Sequence, residues 1–218
     1  MAIKRYFANK DNTVTNAYKD NLSTRATGSN MGVADILETF VIHGQTSASI
    51  SAESAEEARI IVQFPVSGTN AAIETIHRDR SNNTIPPQGK VSFYLRMFNA
   101  RHAESTPEDF NLDLKIISKS WSEGRGLDMD TYSDTGFSSW LSASSGSAWD
   151  DPGCDFHSST DTDNFSASLN FKHGFEDIEI DVTTAVENWI DGTKANYGFL
   201  LKHVPSSLSG NNGTLYTK

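Results

Sequence analysis

Apolar residues in this chain come in short runs, and most alternate with polar ones. That two-residue repeat belongs to half-buried strands, not to an amphipathic helix. Gly89–Ala100 ("GKVSFYLRMFNA") sets Val91, Phe93, Leu95 and Met97 on one face and Ser92, Tyr94, Arg96 and Phe98 on the other. Phe110–Ser118 alternates Phe110, Leu112, Leu114 and Ile116 against Asn111, Asp113 and Lys115. Glu176–Val182 alternates Ile178, Ile180 and Val182 against Asp177, Glu179 and Asp181. Ala58–Val66 ("ARIIVQFPV") is a compact apolar run closed by a proline, and Tyr197–Val204 ("YGFLLKHV") reads as a further strand. Alternating strands joined by long loops predict an all-β chain, an antiparallel β-sandwich or jelly roll with one short helix and long loops.

The helix is expected near the C-terminal end. Thr184 and Glu187 have the spacing of a capping box, Val186, Trp189 and Ile190 share one helical face, and Gly192 stands where a left-handed residue ends a helix. Ala52–Arg59 ("AESAEEAR") also reads as a helical turn, running directly into a strand. No break in composition and no repeat divides the chain, so residues 1–218 are expected to form a single β-sandwich domain. Residues 1–30 would be an N-terminal arm or first strand, and residues 126–171 a long acidic loop region.

Composition narrows the classes. Hydrophobic residues make up 37% of the 218 residues, below the roughly 45–50% of an average globular chain; Ser, Thr, Asn and Gly fill the difference, as solvated strand faces and loops require. The net charge of −10 comes without a dense Lys/Arg cluster, which argues against nucleic acid as a partner. No apolar run approaches the ~20 residues of a membrane span, and the N-terminus lacks the apolar stretch of a signal peptide. The single cysteine, Cys154, excludes an intrachain disulfide and fits synthesis in a reducing cytoplasm.

From Gly126 to Phe171 there is no lysine or arginine, while Asp128, Asp130, Asp134, Asp150, Asp151, Asp155, Asp161 and Asp163 fall within the span. Carboxylates that converge without basic partners repel unless water or a cation intervenes. Asp128, Asp130 and Asp134 are therefore candidate ligands for calcium, or else part of a solvated acidic loop; the pattern is not an EF-hand, and no other cofactor is expected. Trp140 and Trp149, with Asp150 and Asp151, are candidate glycan-binding residues, since aromatic faces beside carboxylates suit sugar rings. In the competing reading the two tryptophans pin the loop to the sandwich. Trp121 and Trp189 are expected in the core, and Glu123, beside Trp121, is the glutamate best placed for an acid/base role. None of His43, His77, His102, His157, His173 and His203 forms a zinc pattern, and Cys154 near His157 is expected to be a structural thiol.

The order "ARIIVQFPV", "VSFYLRMFNA", "SWSEGRGLDMD", "WDDPGCD" and "IDVTTAVENWIDGTKANYGFLLK" resembles the DNRLRE-type domain, a disaggregatase-related β-sandwich grouped with carbohydrate-binding modules. The resemblance rests on Arg59 to Phe64, on the Trp-x-Glu-Gly-x-Gly turn (Trp121, Glu123, Gly124, Gly126), and on Asp181, Val182, Thr183, Trp189, Gly192, Asn196, Tyr197 and Gly198. It covers about Asn30 to Val204. The N-terminal "MAIKRYFANKDNTVTNAYKDNLSTRATGSNMG" is similar to the opening of virion structural proteins of tailed phages that infect marine bacteria and cyanobacteria (cyanophages). These resemblances imply a non-enzymatic virion protein that decorates or builds the head, neck or tail, made in the host cytoplasm, with other virion proteins and copies of itself as partners. The alternative they imply is a glycan-binding module that adheres to host-surface polysaccharide. They also imply a closing strand after "LYTK"; without it a sheet edge would be open to strand addition by a neighbour.

Overall fold

The computed structural model describes residues 3–47, 50–66, 75–100, 108–158 and 165–204, without the side chains of 43–55. Residues 205–218 lie outside the described residues, as do His102, Asp161, Asp163 and the side chain of His43. The elements in chain order are β1 (Lys10–Thr15), β2 (Phe40–Ser47), β3 (Ile50–Gln63), α1 (Ile76–Ser81), β4 (Tyr94–Met97), β5 (Phe110–Ile116), β6 (Ser142–Ser144), β7 (Ser147–Ala148), β8 (Ser166–Phe171), β9 (Ile178–Asp181), α2 (Thr183–Ile190) and β10 (Phe199–His203). The fold is all-β and sandwich-like. A six-stranded antiparallel sheet runs β1-β3-β10-β5-β8, with β2 also on β3, and two small sheets, β4-β9 and β6-β7, accompany it.

The central strands β3 and β10 carry consecutive apolar residues because both their faces are covered. Ile60 and Val62 point with Leu112, Leu114, Ile116, Phe199 and Leu201 into a core closed by Leu95, Ile178, Val186 and Trp189 from β4, β9 and α2. Ile61 and Leu200 point the other way, with Val14, into a second core closed by Trp121, Trp140, Ala143, Trp149 and Cys154. The large sheet is thus the middle layer. One side bears the small sheet and the helices, and the other bears the segment from Lys119 to His157. At roughly 25 cal/mol per Å² of buried apolar surface, both sides contribute to the core.

Several expectations change. Residues 126–171 are not one loop: β6 and β7 form a hairpin within the span, and β8 pairs with β5 from Ser166↔Lys115 to Phe171↔Phe110. Ala52–Arg59 is strand, paired along β2 from Ser54↔Gly44 to Ala58↔Phe40; a short Ala/Glu helix gains little against a full ladder of main-chain bonds. A second helix, α1, lies between the strands, N-capped by Thr75, whose hydroxyl accepts from Arg78 N at 3.1 Å. The capping box of α2 does not form. The N-cap is Val182 with no side-chain hydrogen bond. The Glu187 carboxylate instead accepts from Arg80 Nη1 and Nη2 at 3.0 and 2.7 Å. Gly192 does adopt the left-handed conformation expected after the helix (φ 81°).

Candidate functional site

The Trp-x-Glu-Gly-x-Gly turn is built around two asparagines that composition alone does not single out. Asn30, wholly buried, donates from Nδ2 to the carbonyls of Glu123 (2.6 Å) and Ser138 (2.9 Å). Its Oδ1 accepts from the N–H groups of Gly126 (2.8 Å) and Gly32 (3.2 Å). All four capacities of the amide are used. Asn12, also wholly buried, donates to Ser138 O and Oγ and accepts from Met31 N at 2.9 Å. The glycines follow from this contact: a Cβ on Gly126 would lie 1.8 Å from Asn30 O, and one on Gly124, already at φ +92°, 2.3 Å from the Asn30 amide. Glu123, the candidate acid/base, accepts the Asp11 N–H at 2.8 Å on the outer edge of β1. Burial and the neighbouring Glu123 carboxylate raise the Asp11 pKa above the usual carboxylate range.

The three aspartates of the calcium candidate are held by separate bonds, although Asp20 meets Asp130, and a hydrogen bond to Asp130 with the charges of Asp130 and Asp128 raises the Asp20 pKa. Asp128 Oδ1 accepts from the N–H groups of Asp130 (2.9 Å) and Thr131 (2.7 Å), and both its oxygens accept from the Thr131 hydroxyl; these bonds hold its pKa below the ordinary range. Asp130 Oδ1 accepts from Asp20 N at 2.9 Å, and Asp134 Oδ2 accepts from Arg125 N at 2.8 Å. Asp128 closes its own turn, while Asp130 and Asp134 reach the segments at Asp20 and Arg125. Among the described residues no three His, Cys, Asp or Glu side chains are grouped as metal ligands. The expected lack of basic partners is corrected too, because lysines come from outside the acidic span. Lys19 Nζ donates to Asp130 O at 2.8 Å, and Lys119 Nζ meets Asp150 at 2.9 Å and Asp155 at 3.3 Å. Asp155 in turn accepts the N–H groups of Asp150 and Asp151.

Trp140 and Trp149 are buried in the second core. The Arg59 guanidinium stacks 4.7 Å from the Trp140 ring centroid and donates to Glu57 Oε2 and Gly153 O. Gly153, at φ +91°, leaves no room for a Cβ against Trp140. Trp149 Nε1 donates to Ser139 O at 2.8 Å. Placing these two rings as a sugar platform is therefore corrected: their faces pack against the protein itself, and they pin the loop to the sheet. Trp121 and Trp189 are buried as expected; Trp121 Nε1 donates to Tyr197 O at 2.8 Å.

Cys154 is fully buried in an unusual left-handed conformation (φ 97°), and burial with the adjacent Asp155 charge drives its pKa well up, the opposite of a reactive thiol. His203 is buried beside Phe110, and burial pushes its pKa down to about 4. Asp79, in α1, accepts from the Tyr6 hydroxyl at 2.7 Å and pairs with Lys4, and these partners hold its pKa below the usual range. A shallow polar depression of about 270 Å³ is lined by Gly28, Ser133–Phe137, Ser139 and Ser142. No described helix is long and apolar enough to cross a membrane. The chain matches no family model, no curated protein and no solved structure.

Proposed function

We propose that this chain is a non-enzymatic structural protein of a tailed-phage virion, decorating or building the surface of the head, neck or tail. One observation carries the reading: the residues of the motifs build the fold. Trp121, Glu123, Gly124 and Gly126 form the turn locked by Asn30. Arg59 holds the Gly153 loop. Asn196 Nδ2 donates to Phe64 O at 2.8 Å, and Gly198, at φ +92°, lets the chain pass Val62 O where a Cβ would lie 2.1 Å away. Thr183 Oγ1 accepts Phe93 N at 2.8 Å. A scaffold with its polar side chains tied to distant backbone suits a particle component. Mass spectrometry of gradient-purified particles from a lysate of the host tests it. The protein should be present at a fixed copy number, and its absence from particles would overturn the reading.

A glycan-binding role is the second reading, on different residues from Trp140 and Trp149. Phe98 and Phe175 are 73% and 63% exposed. Asn99 ties their two segments together, its N donating to Asp177 Oδ1 and its Nδ2 to Gly174 O. Arg96 lies over one face of Phe98 and pairs with Glu179 at 2.8 Å, and His173 stacks on Phe175, so the stacking faces on offer to a sugar are the outer ones, with Asp177 beside them as an acceptor. Glycan-array binding abolished by Phe98→Ala and Phe175→Ala would support this role. Binding that survives both would remove it.

A further inference from the structure

Among the described residues, strand β8 forms one margin of the six-stranded sheet. Ile117 N donates to Gly198 O and Val204 N to Asn111 O, so the odd-numbered residues of this segment bond toward β10 and the even-numbered ones toward β8. Facing those even residues are Ala167, Leu169 and Phe171. The backbone N–H and C=O groups of Ser166, Ser168 and Asn170 therefore point away from the sheet, and none has a partner among the described residues.

Edge strands are normally guarded by charge, proline or a bulge. β8 reads "SASLNF", with no charge and no proline, and its ladder with β5 has no register shift. The chain as a whole carries a net charge of −10, so two copies repel over much of their surface but not along this strand. We propose that β8 is a homotypic interface, on which a second copy of this chain adds its own β8 antiparallel about a two-fold axis through Ser168. That axis sets Ser168 opposite Ser168 of the second copy and Ser166 opposite its Asn170, so every outward N–H and C=O of the strand is paired. On the core side it sets Ala167 opposite Leu169 and Phe165 opposite Phe171, small against large and ring against ring. Ala167, Leu169 and Phe165 are only half-buried in the single chain. The result is a continuous twelve-stranded sheet with an isologous contact. The inference stands on the strand's geometry, and a dimer could exist whether or not the protein belongs to a particle.

Cysteine cross-linking tests both the contact and its register. Facing Cα atoms of a hydrogen-bonded antiparallel pair lie about 5.5 Å apart, within the roughly 4.4–6.8 Å that a disulfide spans. Under mild oxidation Ser168→Cys should give a covalent dimer. Ser166→Cys alone should not, and Ser166→Cys mixed with Asn170→Cys should. The native Cys154 is buried, so the wild type provides the background. In light scattering the wild type should be dimeric. Ser168→Pro, whose lost N–H points outward, should be monomeric with an unchanged circular dichroism spectrum, and its Tm, unlike that of the wild type, should not vary with protein concentration. Should proline disturb the fold, Ser168→Lys with Asn170→Lys should give the same loss of dimer. A wild type that stays monomeric at high concentration, or Ser166→Cys cross-linking as readily as Ser168→Cys, would overturn the proposal.

Discussion

Asn30 shows how one short side chain can hold three separate segments. Its amide satisfies the Glu123 and Ser138 carbonyls and the Gly32 and Gly126 N–H groups in a site closed to water. Asn30→Ala strands these groups without replacement, at about 1–3 kcal/mol for each buried group left unpaired. We expect a loss of about 3 kcal/mol or more in urea denaturation, and Asn30→Asp to be no better, because the carboxylate cannot donate to the two carbonyls. His203 sets a pH dependence. In the unfolded chain it titrates near the ordinary histidine value of 6.5, whereas in the fold it stays neutral down to about 4. The unfolded state takes up the proton first, so this contribution is fully present above about pH 6.5 and is lost as pH falls toward 4. The difference amounts to about 3 kcal/mol, of which roughly 2 is gone by about pH 5. Denaturation midpoints at pH 7 and 5 should converge in His203→Phe, and an equal slope in that variant would refute the assignment. Of these residues the sequence flagged the glycines and Glu123 through their spacing. Asn12 and Asn30 stayed invisible, because an asparagine destined for burial looks no different from one in a loop until its partners are placed.

At the scale of elements, alternation was a reliable guide wherever one strand face meets solvent. β5 buries Leu112, Leu114 and Ile116 and leaves Asn111, Asp113 and Lys115 less covered. β4 and β9 follow the same rule around Leu95 and Ile178. Helices were less legible. The i, i+3, i+4 face of Val186, Trp189 and Ile190 located α2, but its predicted cap failed because Glu187 has a better partner across the molecule. Arg80 and Glu187 join α1 to α2 by a bidentate pair whose side chains are 15% and 6% exposed. Breaking such a pair from one side typically costs about 3–5 kcal/mol, because a charge is left buried. Glu187→Ala should therefore lower stability by about that amount, whereas Arg80→Met combined with Glu187→Leu should recover most of it. A thermal-denaturation double-mutant cycle checks this, and additive losses would show that the two residues act separately. Helix α1 had no periodic signal to read: it is six residues long, and it exists because Thr75 caps it and Asp79 receives Lys4 and Tyr6.

For the molecule as a whole, the segment from Lys119 to His157 acts as the second cover of the main sheet. Trp140→Ala would open a cavity beneath Arg59 and cost about 3–5 kcal/mol. Hydrogen exchange should rise across residues 119–157 while β5 and β10 stay protected, and equal loss of protection everywhere would mean that the two cores unfold as one. The sequence by itself determined the all-β class, the places of β4, β5, β9, β10 and α2, and the glycines of the turns, because periodicity and backbone preference are local properties. Only the tertiary structure decided the roles of the aspartates and tryptophans. A run of acids without a nearby lysine looks like a cation site until Lys19 and Lys119 arrive from elsewhere in the chain. A tryptophan in a polar loop looks exposed until the loop folds back over Ile61 and Leu200. Burial and charge pairing depend on which distant segments meet, and that is settled by packing, not by neighbours in sequence.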